Sequence, residues 1–211
     1  MNWKVLIIDD HPVVREGVAA ILPAAEFQVI GSCSTIREAT ELLRHDSPHV
    51  VMVDVRLRNE DGFAAITAIR KTLPTAKFVI FSSYDNPTYL ARAVALDVQD
   101  YLPKNASQAS ITAVMRRCVM DAPPLDGSPL QKIAAVMRRK SICETSKKLP
   151  LTNREIQVLR HLGFGLSNKE AASSLSVSVE TIKEHVQNIL RKLNAPDRTA
   201  AAVMAVKNGL V

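Results

Sequence analysis

The sequence predicts an α/β fold, a doubly wound five-stranded parallel sheet, followed by a small all-α domain. Three observations predict it. Apolar runs of strand length alternate with helical stripes through the first 120 residues, and such alternation implies a parallel sheet covered by helices on both faces. Around residues 122–129 the chain reads APPLDGSP, where Pro and Gly exclude regular structure and mark a boundary. From Leu151 onward the periodicity is helical only.

Each element follows in turn. KVLII is a strand, and Val14, Val18, Ile21 and Leu22 form the stripe of the helix after it. QVI precedes a stripe at Ile36, Ala39, Leu42 and Leu43, and VVMV precedes Phe63, Ile66 and Ile69. KFVIF leads to Tyr89, Leu90, Ala93 and Val94, and DYL to Ile111, Val114 and Met115. Right-handed crossovers leave few ways to connect five such units. PLQKIAAVMRRK reads as a short helix with Pro129 in its first turn, and SICETSKK as looser chain. Thr152 with Glu155 and Ser167 with Glu170 fit capping boxes that open two further helices, and Gly165 is placed to end the first of them. Another helix begins after Ser178 and a last one near Thr199. The expected organisation is therefore 1–120 as one domain, 121–147 as a linker with a short helix, and 148–211 as a second domain.

With 211 residues and 47% hydrophobic content, the chain is long enough for two modest cores. Its longest apolar runs fall well short of the roughly 18 residues of a membrane span. The opening MNWKVLIIDD places charge too early for a secretory signal, so the expected location is the cytoplasm. Cys33, Cys118 and Cys143 follow no metal-ligand spacing and read as buried or incidental thiols. Residues 1–120 carry 13 basic and 13 acidic side chains, whereas 148–211 carry nine basic and five acidic. The net positive charge of +6 therefore lies in the C-terminal part, as suits a module that meets a polyanion or, more simply, an ordinary solvated surface.

Ligands of an open parallel sheet sit beyond the carboxyl ends of its strands. Asp9 and Asp10 end the first strand, Asp54 the third and Ser82 the fourth, and Lys104 closely follows the fifth. Each residue alone reads equally well as a helix cap or strand end. Together they bring three carboxylates to one edge, where mutual repulsion calls for a cation. An all-oxygen site suits Mg2+. A carboxylate, a hard cation, a hydroxyl and a lysine make up equipment for holding a phosphoryl group.

Residues 1–120, with IDDHP, VDVRLRNEDG, FSS and YLPK in order, closely resemble the flavodoxin-like receiver domain of two-component response regulators. That resemblance implies that Asp54 is the phosphoacceptor, that Asp9, Asp10, Asp54 and the backbone carbonyl of Arg56 hold Mg2+, that Ser82 and Tyr101 are the switch residues, and that Lys104 pairs with the phosphate. Leu57 and Arg58 stand where Met-Pro is usual, and Asp97 and Asp100 where such domains often have Gly. Any positive φ there would strain Asp. Arg56 and Tyr84 flank the site, placed either to shield an acyl phosphate from water or as solvated neighbours.

In SVSVETIKEHVQNILRKL the apolar residues Val179, Ile182, Val186, Ile189, Leu190 and Leu193 form one stripe. Lys183, Gln187 and Arg191 line the other face, with Glu184 above Asn188; these side chains can read base edges. The capped SNKEAASSL before it, with only Ser176 to Ser178 between, fits a helix-turn-helix. The whole of 151–211 resembles the LuxR-type DNA-binding domain, and the entire chain a NarL/FixJ-type response regulator. The resemblance implies that Lys183, Glu184 and Gln187 approach bases, that Thr181, Lys169 and Lys192 approach phosphates, and that Thr199 to Val206 forms a dimer-contacting helix. Glu184 accepts from a cytosine amino group or pairs with neighbouring cations; the sequence leaves both open.

The expectation is a DNA-binding transcription regulator rather than an enzyme. A sensor histidine kinase phosphorylates Asp54, and the homodimer engages double-stranded DNA, with RNA polymerase or another regulator as a further partner. Two rivals are a Mg2+-dependent phosphatase turning over at Asp54, and a receiver that docks a partner without phosphorylation.

Overall fold

A computed structural model describes residues 2–138 and 149–211. Cys143 and the SICETSKK stretch lie outside the described residues. The chain divides into two compact units, one running to Asp85 and resuming over Val98–Ser128, the other comprising Asn86–Asp97 and the described residues from Pro129 to Val211.

In the first unit the strands are β1 (Trp3–Ile8), β2 (Phe27–Cys33), β3 (Val50–Val53), β4 (Lys77–Ser82) and β5 (Asp100–Pro103). All neighbours pair in parallel, in the order β2-β1-β3-β4-β5. Between them run α1 (Pro12–Ile21), α2 (Ile36–Leu42), α3 (Gly62–Thr72) and, after β5, α5 (Gln108–Val119), with α4 (Pro87–Ala95) between β4 and β5. β3 is apolar at every position, as are Val5–Ile8 of β1 and Phe78–Phe81 of β4, because both faces of these central strands are covered. Val5, Ile7, Val50, Met52, Val79 and Phe81 form one core with Val18, Leu22, Ile111, Val114 and Met115. The alternate positions Leu6, Ile8, Val51, Val53, Phe78 and Ile80 point to the opposite face and are equally buried. Strand order reverses between β2-β1 and β3-β4-β5, so a crevice opens beyond the carboxyl ends of β1 and β3.

Helix starts are fixed locally. Thr35, Asp61 and Ser107 each accept a hydrogen bond from a first-turn N–H, capping α2, α3 and α5. Of the two aspartates in glycine-prone positions, Asp97 does adopt a left-handed conformation (φ +50°). Asp100 instead lies in β5, where its carboxylate accepts from the Tyr101 N–H at 2.8 Å and burial raises its pKa above the ordinary value.

The second unit holds α6 (Pro129–Arg138), α7 (Asn153–Gly163), α8 (Asn168–Leu175), α9 (Val179–Leu193) and α10 (Arg198–Lys207) besides α4. Both capping boxes form, Thr152 with Glu155 and Ser167 with Glu170. Gly165 takes φ +76° just past α7, the conformation that lets a helix stop. Ile156, Leu159, Ile182, Val186, Ile189 and Ala201 pack into a separate core. Val179, expected in the buried stripe of α9, is 39% exposed, because as the first residue of the helix it precedes the turn that enters the core. No helix among the described residues is long and apolar enough to cross a membrane.

The buried thiols Cys33 and Cys118 are held protonated, their pKa values pushed up to about 12 by burial. His161 is fully buried. Its Nδ1 donates to the Gln157 carbonyl at 2.8 Å, since a carbonyl only accepts, and its Nε2 therefore accepts from Ser174 Oγ at 2.9 Å. Burial disfavours the imidazolium and lowers the His161 pKa. The unfolded chain binds a proton near pH 6.5 that the folded chain refuses, so stability contributed here is complete above about pH 6.5 and declines as pH falls toward the folded value. Urea midpoints read between pH 7 and 5.5, above the range where carboxylates titrate, should fall for the native chain and fall less for His161→Gln.

Candidate functional site

Asp9 and Asp10 follow β1, Asp54 follows β3, Ser82 ends β4 and Lys104 follows β5, so the sheet brings all five to one edge. Asp54 is buried. Its Oδ1 accepts from Ser82 Oγ at 2.7 Å and from the Arg56 N–H at 3.3 Å, and its Oδ2 from Lys104 Nζ at 2.7 Å. Lys104 Nζ also lies 2.7 Å from Asp9 Oδ2, and so bridges two buried carboxylates. Burial works against the charged ammonium, but the hydrogen bonds to Asp54 and Asp9 outweigh it and hold the Lys104 pKa above its ordinary value.

Asp10 differs from its neighbours. Its Oδ1 is shut off from solvent and, among the described residues, has no hydrogen-bond donor in good geometry, although His11 Nδ1 lies 2.8 Å away; such a state is costly for a carboxylate oxygen unless a cation is near. Ligand atoms of Asp9, Asp10, His11 and Asp54 all lie within 4.8 Å of one another. This donor set, together with the orphaned oxygen, fits a divalent cation. Asp10 also lines a cavity of about 430 Å3 with Arg15, Leu57, Arg58 and Glu60, which leaves the cluster approachable from one side.

Around the cluster, Tyr101 is buried and its hydroxyl donates to the backbone carbonyl of Tyr84. The Arg56 guanidinium stacks over the Tyr84 ring at 4.8 Å, a cation–π contact that ties the loop after β3 to the loop after β4. Leu57 is buried and its N–H donates to the Glu60 carbonyl, so the residue standing in place of the usual Met closes a turn.

Two residues near the cluster carry no role in the sequence reading. Gly62 opens α3 with its N–H on the Val55 carbonyl at 3.0 Å; a Cβ there would lie 1.9 Å from the Asp54 carbonyl oxygen. The sequence signals only a turn at NEDG. His11, beside the acidic pair in IDDHP, had adjacency as its only signal.

On the second unit, α8 and α9 are joined by a turn in which Ser176 is left-handed (φ +53°). Ser178 caps α9 through the Thr181 N–H at 3.0 Å, and its Oγ lies 2.8 Å from Thr181 Oγ1. Ile182, Val186 and Ile189 point inward, whereas Lys183, Glu184 and Gln187 are exposed on the other face. Lys183 Nζ sits 3.1 Å from Glu180. Lys169, in the first turn of α8, is exposed. Lys192 has a partner the sequence did not reveal: its Nζ lies 2.7 Å from the Glu155 carboxylate, which is 5% exposed and serves the capping box of α7. Burial alone would raise the Glu155 pKa, but the Lys192 ammonium and the Thr152 hydrogen bonds hold it below its ordinary value. On α10, Val203 and Val206 are 47% and 56% exposed.

Comparison with known proteins follows the same division. Residues 5–116 match the response regulator receiver domain family, and residues 149–205 match the luxR family of bacterial regulatory proteins. The transcriptional regulatory protein LnrK of Bacillus subtilis is 33% identical over 215 residues, covering 98% of each chain. The transcriptional regulatory protein LiaR of the same organism is 33% identical, covering 99% of each. Among solved structures, the receiver domain of AraT from Geobacillus stearothermophilus aligns at TM-score 0.53 and 31% identity, over 57% of this chain and 95% of that one. RcsB of Salmonella typhimurium aligns at TM-score 0.55 and 22% identity, over 98% of each chain, a likeness of fold.

Proposed function

This chain belongs to the response regulators that join a receiver domain to a luxR-family DNA-binding domain, and we propose that Asp54 is its phosphoacceptor, with a sensor histidine kinase as donor. The observation that carries this reading is the pairing at Asp54, whose two oxygens meet Ser82 and Lys104 at 2.7 Å each. One carboxylate oxygen attacks the phosphorus of the kinase's phosphohistidine, the P–N bond breaks and the imidazole leaves, while Ser82 Oγ and Lys104 Nζ are already placed to bind phosphoryl oxygens. Asp9, Asp10, Asp54 and the Arg56 backbone carbonyl would hold Mg2+, which when bound neutralises charge on the transferring group.

A phosphoryl group at Asp54 draws the Ser82 hydroxyl to a new acceptor and alters the loop whose Tyr84 carbonyl receives the Tyr101 hydroxyl. The receiver thereby becomes a two-state element biased by local charge. We assign 1–120 to the receiver, 121–147 to the linker and 148–211 to the DNA-binding domain. Lys183, Glu184 and Gln187 approach bases, and Lys169, Thr181 and Lys192 approach phosphates. The exposed Val203 and Val206 support the reading of α10 as the contact surface of a homodimer on double-stranded DNA, in the cytoplasm, where RNA polymerase or another regulator is the further partner.

Incubation with acetyl phosphate and Mg2+, with and without chelator, tests the switch by intact mass. A single Mg2+-dependent phosphoryl adduct is expected. A folded protein that formed none, and no beryllofluoride complex either, would instead favour a receiver that docks partners unphosphorylated.

The base and phosphate roles separate by substitution. Lys183→Ala should relax base preference, whereas Lys192→Ala should weaken binding to all sequences alike and reduce the salt slope by about one. Because its ammonium also faces Glu155, Lys192→Ala should lower the urea midpoint as well. Equal changes of sequence preference in both variants would overturn this division.

A further inference from the structure

We propose that His11 is an additional ligand of the cation held by the acidic pocket, and that its imidazole biases the pocket toward borderline divalent ions such as Mn2+. The inference rests on the reading of the pocket as a metal site.

His11 occupies the N-cap position of α1, yet its side chain makes no cap hydrogen bond, and Pro12 at the first helical position has no N–H to offer. The ring turns instead toward the carboxylates, with Nδ1 2.8 Å from Asp10 Oδ1 and 3.2 Å from Asp9 Oδ1. Asp9 Oδ1 already accepts the His11 backbone N–H at 2.9 Å. Among the described residues, Asp10 Oδ1 has no hydrogen-bond donor in acceptable geometry despite the short approach of the ring. A single ring proton at Nδ1 serves at most one of these oxygens. A shared cation serves all three atoms, with the neutral Nδ1 lone pair as a ligand. Mg2+ binds through oxygen and retained water and gains little from an imidazole, whereas Mn2+ and later first-row ions accept nitrogen readily. The pocket should therefore depend on His11 for Mn2+ and hardly at all for Mg2+.

The test uses the full chain and its His11→Asn variant, with Mn2+ and Mg2+ themselves as probes. The side chain is 64% exposed, so the fold does not depend on it, and circular dichroism verifies this. Pulsed electron paramagnetic resonance of the Mn2+ protein should reveal directly bound nitrogen, absent from the variant. Calorimetry should find Mn2+ affinity reduced by about tenfold in the variant, and Mg2+ affinity changed by less than about threefold. Mn2+ bound with equal affinity in both proteins and without nitrogen coupling would overturn the role of His11 while leaving the metal site standing. Failure of both ions to bind the native chain would overturn the metal site itself, and the role of His11 with it.

Discussion

Asparagine in place of Asp54 is expected to abolish the phosphoryl adduct while leaving the domain folded. The amide matches the carboxylate in size and can still accept from Ser82, which lies 2.7 Å from Oδ1. Lys104 keeps Asp9 as its partner at 2.7 Å, so no buried ammonium is stranded. What disappears is the anionic oxygen proposed to attack phosphorus. Intact mass after treatment with acetyl phosphate and Mg2+ should show one adduct on the native chain and none on the variant. Affinity for DNA should then respond to the phosphodonor only in the native chain. An adduct that persisted in the variant would move the acceptor to Asp9 or Asp10, which share the pocket.

Alanine at Gly62 should cost about 3 kcal/mol, at the upper end of overpacking penalties. The obstruction is backbone: the new Cβ would fall 1.9 Å from the Asp54 carbonyl oxygen and 2.9 Å from Val55 Cα. Neither atom can turn aside as a flexible side chain does, so the loop bearing Asp54 must shift. Phosphoryl uptake should slow along with the loss of stability. Gly17 provides the contrast, since a Cβ there meets nothing within 4 Å and the residue lies within α1. Gly17→Ala should stabilise the chain by about 0.5–1 kcal/mol through helix propensity. Urea unfolding of the two variants should therefore give shifts of opposite sign. Equal shifts would mean that α3 does not press against the backbone of Asp54.

Much of this architecture is legible in the chain as written. Strand runs such as VVMV and KFVIF announce burial on two faces, and parallel strands carry their carboxyl ends to one edge. Asp9, Asp10, Asp54, Ser82 and Lys104 therefore group by their places at strand ends alone. Both capping boxes were equally plain, because a hydroxyl and a carboxylate three residues apart meet whenever a helix starts there. Of the two aspartates at which a positive φ would strain the backbone, one carries it. Asp97 bears it, whereas Asp100 is taken up into β5, a choice made by strand pairing rather than by residue type.

By itself, then, the sequence determined the two-part organisation, the order of elements, the acidic edge and the polar face of α9, since each rests on periodicity or on neighbours within about four positions. Tertiary structure alone decided that Lys192 faces Glu155 across 37 positions, that the Tyr101 hydroxyl reaches the Tyr84 carbonyl, and that Gly62 is pressed against the backbone of Asp54. These contacts join residues on separate elements, and their distances are set by how helices and strands pack, which no local pattern encodes.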